Sequence, residues 1–211
     1  VPVTLKMRTG WCQQHKNAVP LARRFEAVGI QMLTVHGRTR EQGYKGEAEY
    51  DTIAAVKAAV RVPVVANGDI TSPEKARAVL AATGADALMV GRAAQGRPWI
   101  FREIGHYLAT GEHLAPPLVA EVQRLLLDHL QDHYQLYGEA TGVRSARKHI
   151  AWYVRALPGG EALRQHINTI EDCAAQWQAV QAYFAALGQR MDRLPATAAA
   201  TLHEEQEGFC A

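Results

Sequence analysis

The run Val62-Pro63-Val64-Val65-Ala66, followed at once by Asn67-Gly68-Asp69, constrains the fold of this chain more than any other stretch. Short, apolar and β-branched at successive positions, residues 62–66 read as a strand buried on both faces. Asn67-Gly68-Asp69 is a turn triplet that stops it. Ser72 then offers an N-cap, Pro73 suits the first helical position, and Glu74 complements the dipole of the first turn. The helix continues through Ala82 and stops at Gly84, a residue suited to the left-handed C′ position. Backbone amides and polar side chains therefore gather at the carboxyl end of a buried strand, where parallel α/β proteins collect ligands.

The same grammar recurs along the first half of the chain. Residues 3–6 read as a buried strand whose end carries Lys6 and Arg8, followed by a loop over 9–16 and an amphipathic helix over 19–28 closed by Gly29. Residues 31–35 form the next strand, ending at His36-Gly37-Arg38; a polar loop over 39–49 leads to a helix over 51–59. A fourth strand, 85–90, ends at Gly91-Arg92. Four strand–helix units at similar spacing predict a parallel sheet with right-handed crossovers. In a (β/α) barrel all four polar strand ends converge on one face. An open doubly wound sheet is the alternative, but no G-x-G-x-x-G follows any strand.

From Pro98 onward the pattern is helical. Helices are predicted over 99–110, 118–137, 143–157 and 171–187, broken by Ala115-Pro116-Pro117 and by the turn Pro158-Gly159-Gly160. The stretch from Arg190, rich in Ala, Thr and Glu, lacks periodicity and reads as disordered. The expected division is a sheet domain over 1–110, a helical domain over 111–188 and a tail over 189–211.

A length of 211 residues, 48% of them hydrophobic, suffices for a substantial core plus an appendage. The net charge of +2 announces no nucleic-acid binder by itself. Three widely separated cysteines form no disulfide framework and no metal spacing, which fits a reducing cytoplasm. No apolar run approaches transmembrane length and no signal peptide is visible. The chain starts on a strand, without an initiator Met, and is expected to be part of a longer protein.

Loops after the last two strands of a (β/α) barrel often bind phosphate through backbone N–H groups. Asn67-Gly68-Asp69 and Gly91-Arg92 fill those positions if theirs are the last strands, with Arg92 adding charge-assisted hydrogen bonds. Taken singly, each motif also fits a tight turn or a solvated strand end. Lys6 at its strand mouth suits an electron-rich ring, such as the N1–O2 edge of a reduced flavin, or else snorkels to solvent. His36 suits cofactor contact or a structural role. Cys12 has no paired base in its local pattern and reads as a loop cysteine. In the helical half, Arg144, Arg147, Lys148 and His149 lie within two turns and Trp152-Tyr153 follow. That combination suits RNA backbone recognition, or a plainly solvated helix face.

Val3-Thr4-Leu5-Lys6-Met7-Arg8-Thr9-Gly10-Trp11, Thr34-Val35-His36-Gly37-Arg38-Thr39, Val64-Val65-Ala66-Asn67-Gly68-Asp69-Ile70 and Gly84-Ala85-Asp86-Ala87-Leu88-Met89-Val90-Gly91-Arg92-Ala93 resemble the tRNA-dihydrouridine synthase family. The stretch Arg144-Ser145-Ala146-Arg147-Lys148-His149-Ile150-Ala151-Trp152-Tyr153 resembles its bacterial B-type branch. The resemblance implies the second half of an FMN-binding TIM barrel followed by a small all-α domain that helps hold tRNA. It implies reduction of a uridine C5–C6 double bond by hydride from reduced FMN, recharged by NADPH. By position, Lys6 and His36 would contact the isoalloxazine; Asn67, Gly68, Asp69, Gly91 and Arg92 would surround the phosphate and ribityl chain. Arg38, Arg144, Arg147 and Lys148 would face RNA. The family's catalytic cysteine lies in an Asn-x-x-Cys-Pro type motif after an earlier strand; this chain has no such motif, and Cys12 is not at that position. The chain alone is therefore expected to be inactive, and its open half-barrel edges to drive dimerisation or domain exchange. No metal is implied. Competing readings are another FMN-barrel oxidoreductase of a small substrate, against which the basic and aromatic helix argues, and a non-catalytic RNA-binding module.

Overall fold

The structure, a computed structural model, describes residues 1–195. They form two compact units, one from Val1–Ala94 with Ile100–His113, the other from Gln95–Trp99 with residues 114–195. The boundary expected after residue 110 thus falls after His113, and five residues ahead of it group with the second unit.

The first unit alternates strand and helix: β1 (Thr4–Arg8), α1 (Ala18–Ala27), β2 (Met32–His36), α2 (Asp51–Ala59), β3 (Val64–Asn67), α3 (Pro73–Thr83), β4 (Ala87–Met89), a 3₁₀ turn at Arg92–Ala94 and α4 (Ile100–Thr110). The strands form one parallel sheet in the order β1-β2-β3-β4, each pairing with its neighbour in sequence. The α3 cap is as the sequence implies: Ser72 Oγ accepts from the Lys75 N–H, Pro73 opens the helix, and Gly84 closes it at φ 62°.

Register divides the sheet into two chemically different faces. Leu5, Leu33 and Val64 lie side by side, as do Met7, Val35, Ala66 and Leu88. These residues pack against Ala22, Ile53, Val56, Ala76 and Val79 of the helices. The alternate positions, one residue out of phase, point to the other side. There Lys6 lies beside Thr34, and Arg8, His36, Asn67 and Met89 form a row across all four strands.

β3 is buried throughout, as its β-branched run predicts. The expectation of a buried first strand is corrected: β1 exposes Thr4 and Lys6, and β4 exposes Ala87 and Met89. Among the described residues each of these strands has one sheet neighbour, so half of its environment is open.

The second unit is helical: α5 (Val119–Tyr137), α6 (Glu139–Val154), α7 (Gly160–Ile167) and α8 (Cys173–Gly188). Its core joins Val122, Leu126, Leu130, Ile150, Val180 and Phe184. One buried polar side chain sits among them. Gln176 accepts from Tyr134 Oη at 2.7 Å and donates to the Val143 carbonyl at 3.2 Å, so its burial is compensated. α7 was not predicted. It is one short helix behind a turn, and the turn closes because Gly160 has no Cβ; one built there would meet the Val154 carbonyl oxygen at 1.9 Å. The expectation of disorder from residue 189 is also corrected for 189–195: Val119 N–H donates to Asp192 O, Leu194 N–H to Pro117 O, and Leu194 is buried. The rest of that tail lies outside the described residues. No described helix is long and apolar enough to cross a membrane.

Candidate active site at the strand ends

The polar row at the carboxyl ends of β1 to β4 is built around one carboxylate. Asp69 stands directly after Gly68, which takes φ 128°, and itself adopts φ 48°. A Cβ on Gly68 would lie 2.7 Å from Ala48 Cβ and 3.2 Å from His36 Cδ2, so only glycine fits. The turn aims Asp69 at Arg38, whose two terminal nitrogens donate to Oδ1 and Oδ2 at 2.7 and 2.8 Å. Arg92 adds a 3.2 Å bond to Oδ1, and the Ala48 N–H donates to Oδ2 at 2.8 Å. Burial would raise the Asp69 pKa, but the Arg38 hydrogen bonds, the Ala48 amide and the two guanidinium charges hold it below the ordinary carboxylate range.

Arg38 is 2% exposed and also donates to the Lys45 and Gly46 carbonyls. This corrects the expectation that it faces RNA. A guanidinium with its fork occupied by a carboxylate and loop carbonyls is a fastener for residues 39–49, not a surface contact. Arg8 fastens the same loop, donating to the Thr39 and Gly43 carbonyls, both at 2.8 Å. The loop in turn presents Tyr44 between two cations: Arg92 lies 5.0 Å and Arg8 5.7 Å from its ring centroid, and His36 is 6.3 Å away. Sequence reasoning missed Tyr44, because nothing in an irregular polar loop marks which residue the strand-end cations will meet.

The remaining candidates divide by what their polar atoms are already doing. Asn67 Nδ2 donates to the Met89 carbonyl at 2.8 Å, tying the ends of β3 and β4, and Tyr50 Oη donates to Gly68 O at 2.9 Å. His36 is 7% exposed, with its pKa depressed to about 4 by burial and by the charges of Arg8, Lys6 and Arg38. At neutral pH it is an uncharged imidazole, one donor and one acceptor. Lys6 keeps its side chain in solvent, with its pKa lowered by partial burial of the ammonium and by Arg8. Arg92 retains 31% side-chain exposure, and a Cβ on Gly91 would meet nothing within 4 Å. The cluster is therefore a cationic rim with an open strand end at Gly91 and an aromatic ring between its arginines.

Cys12 corrects one sequence reading. It does have a paired base: its Sγ lies 3.1 Å from His15 Nδ1 in the exposed loop after β1. In the helical unit Arg144 and Lys148 are exposed, and Lys148 Nζ sits 5.9 Å from the Trp152 ring centroid. Arg147 is half-buried and donates to the Ile170 carbonyl at 2.9 Å, which draws it inward.

Comparison with known proteins bears on this arrangement. The family model described as "Dihydrouridine synthase (Dus)" matches residues 1–188. The chain belongs to the dihydrouridine synthase family. tRNA-dihydrouridine synthase B of Pseudomonas putida is 58% identical over 192 residues, covering 91% of this chain and 57% of that protein. The Salmonella typhimurium protein of the same name is 58% identical over 184 residues, 87% of this chain and 57% of that one. The chain thus spans little more than half the length of the curated relatives it matches. A solved structure, wild-type GGGPS from Thermoplasma volcanium, aligns with a TM-score of 0.36 at 15% identity over 53% of this chain and 51% of that one, too weak a likeness to carry an argument.

Proposed function

We propose that this chain is the C-terminal portion of a tRNA-dihydrouridine synthase of the B type: the second half of a (β/α)₈ barrel carrying part of an FMN site, followed by a helical tRNA-binding domain. The observation that supports the reading most is the cationic cluster at the strand ends, in a chain that belongs to this family over residues 1–188. The residues present fit an anionic, planar group. Arg92 keeps exposed donors, Gly91 leaves room for close backbone approach, and Lys6 and Arg8 put positive charge on the same face.

In this reading Gly68, Gly91 and Arg92 hold the phosphate end, while Lys6 and His36 lie against the isoalloxazine. Asp69 plays a different part from that implied by resemblance alone. Its oxygens are occupied by Arg38, Arg92 and the Ala48 amide, and a carboxylate repels phosphate, so it positions Arg92 rather than touching the ligand. Once reduced by NADPH, bound FMN would supply a hydride to C6 of the uridine C5–C6 double bond. Lys6 would stabilise negative charge near the ring, and His36, neutral at pH 7, would orient it as a hydrogen-bonding imidazole rather than act as an acid. A proton must also reach C5. Neither His36, an uncharged imidazole at pH 7, nor Cys12, paired with His15 in an exposed loop, is assigned that role, and the donor is taken to lie outside the strand-end row. Exposed Arg144 and Lys148 contact the tRNA backbone.

The test is to incubate the chain with FMN, NADPH and tRNA and measure dihydrouridine. Salt-dependent tRNA binding without turnover is the expected result. Dihydrouridine formation would overturn the claim that the proton donor lies elsewhere, and salt-insensitive or absent tRNA binding would overturn the RNA reading.

A further inference from the structure

Away from the strand ends, α5 and α6 bring three histidines together. His129 and His133 are four residues apart on α5 and so share a face. His149 approaches them from α6, its ring centroid 5.0 Å from that of His129 and 5.2 Å from that of His133. One ring nitrogen of each lies within 4.8 Å of those of the other two. We propose that His129, His133 and His149 form a three-histidine site for a divalent transition metal of the zinc type, its fourth position left to water.

The chemistry of the donor set supports this. Two helices of 19 and 16 residues supply the ligands, so the backbone is rigid and only side-chain torsions need to adjust. Tetrahedral zinc with Zn–N bonds of about 2.0–2.1 Å needs ligand nitrogens about 3.3 Å apart, so from separations of up to 4.8 Å the cluster closes by at most about 1.5 Å. The second shell is also in place. Ser145 Oγ donates its single proton to the Thr141 carbonyl at 2.7 Å, so at its 2.7 Å contact with His133 Nε2 it accepts. In the proposed site His133 takes the Nε2–H tautomer and ligates through Nδ1, the arrangement in which a ligating imidazole is oriented through its other nitrogen.

His133 is buried and His149 half-buried, so both rings are shielded within the α5–α6 pair where a metal would sit. The charged group facing the cluster is Lys148, which opposes a cation there. Its side chain is exposed and lies toward Trp152, so the ammonium can stay in solvent. A bound ion would clamp α5 to α6 and add positive charge beside Lys148. The inference stands independently of the strand-end reading.

The experiment strips the chain with chelator and titrates it with Zn²⁺ alone by calorimetry at pH 7.5, with ring-nitrogen NMR in parallel. One equivalent per chain is expected, with the ring nitrogens of all three histidines shifting together. His149→Ala abolishes the saturable site, Ser145→Ala weakens it by about 10–100-fold as loss of an orienting partner does, and Cys12→Ser leaves it unchanged. His129→Ala, at a half-exposed position, serves if the His149 variant does not fold. Saturable binding that persists without His129 or His149, an Nδ1–H tautomer at His133, or no stoichiometric binding would overturn the proposal.

Discussion

Replacing Asp69 by Asn removes one charge and almost no volume, and asparagine tolerates the φ of 48° found there. The cost therefore reports on the ion pair. Arg38 keeps 3% side-chain exposure and Asp69 21%, so the substitution strands a buried guanidinium. Breaking such a pair from one side costs about 3–5 kcal/mol. Because Asp69 retains some solvent and Asn still accepts one hydrogen bond, the lower end applies, about 3 kcal/mol or roughly two orders of magnitude in the opening equilibrium. Hydrogen exchange resolves this by place. The Leu33 and Gly37 amides, bonded to Pro63 O at 3.0 Å and Asn67 O at 2.9 Å, should exchange roughly a hundredfold faster in the variant. Amides of α5 should not change. Acid should mimic the substitution. The Asp69 pKa is lower folded than unfolded, so its contribution is full above about 4 and is lost as pH falls through the lowered value. A change of less than about tenfold at Gly37, or equal deprotection of α5, would refute the view that Asp69 is the fastener of the strand-end site.

Gly68→Ala should destabilise the first unit by about 2–4 kcal/mol, because the left-handed backbone and the 2.7 Å approach to Ala48 Cβ act together; an unchanged urea midpoint would contradict this. His36 should show no NMR titration between pH 7 and 5. With its folded pKa near 4 and its unfolded value near 6.5, the first unit should lose stability as pH falls from about 6.5 toward 4, and more so than a His36→Asn variant. Combined Arg144→Ala and Lys148→Ala should lower the slope of log affinity for tRNA against log salt by about 2, whereas an unchanged slope would remove them from the interface. The open edges of β1 and β4 should make the chain self-associate, so a folded species that sediments as a strict monomer over a wide concentration range would count against that expectation.

The parallel sheet was legible because hydrophobic runs, turn triplets and caps agreed with one another: residues 62–84 state a strand, a stop, an N-cap and a left-handed C′ in order, and the structure forms each. The exposure of β1 was not, since a strand's own residues do not reveal how many neighbours it has. Of the candidate site, the strand-end row was readable from position alone. What could not be read was which partner each side chain would take. Arg38 was expected at the surface and is buried because Asp69 and the 39–49 loop surround it; Tyr44 entered the site through that same loop. The histidine cluster had one local signal, the H-x-x-x-H of His129 and His133, and became visible only when α6 supplied the third ring.

The most direct test of the strand-end assignment compares FMN with riboflavin, which lacks the phosphate, as ligands of the purified chain, read by quenching of flavin fluorescence. If Gly68, Gly91 and Arg92 form a phosphate site, FMN binds at least about tenfold more tightly than riboflavin, as one lost charge-assisted contact of about 1.5–3 kcal/mol requires, and Arg92→Ala brings FMN down to the riboflavin level. Equal affinity of the two flavins, or no binding of either to the folded chain, would contradict it.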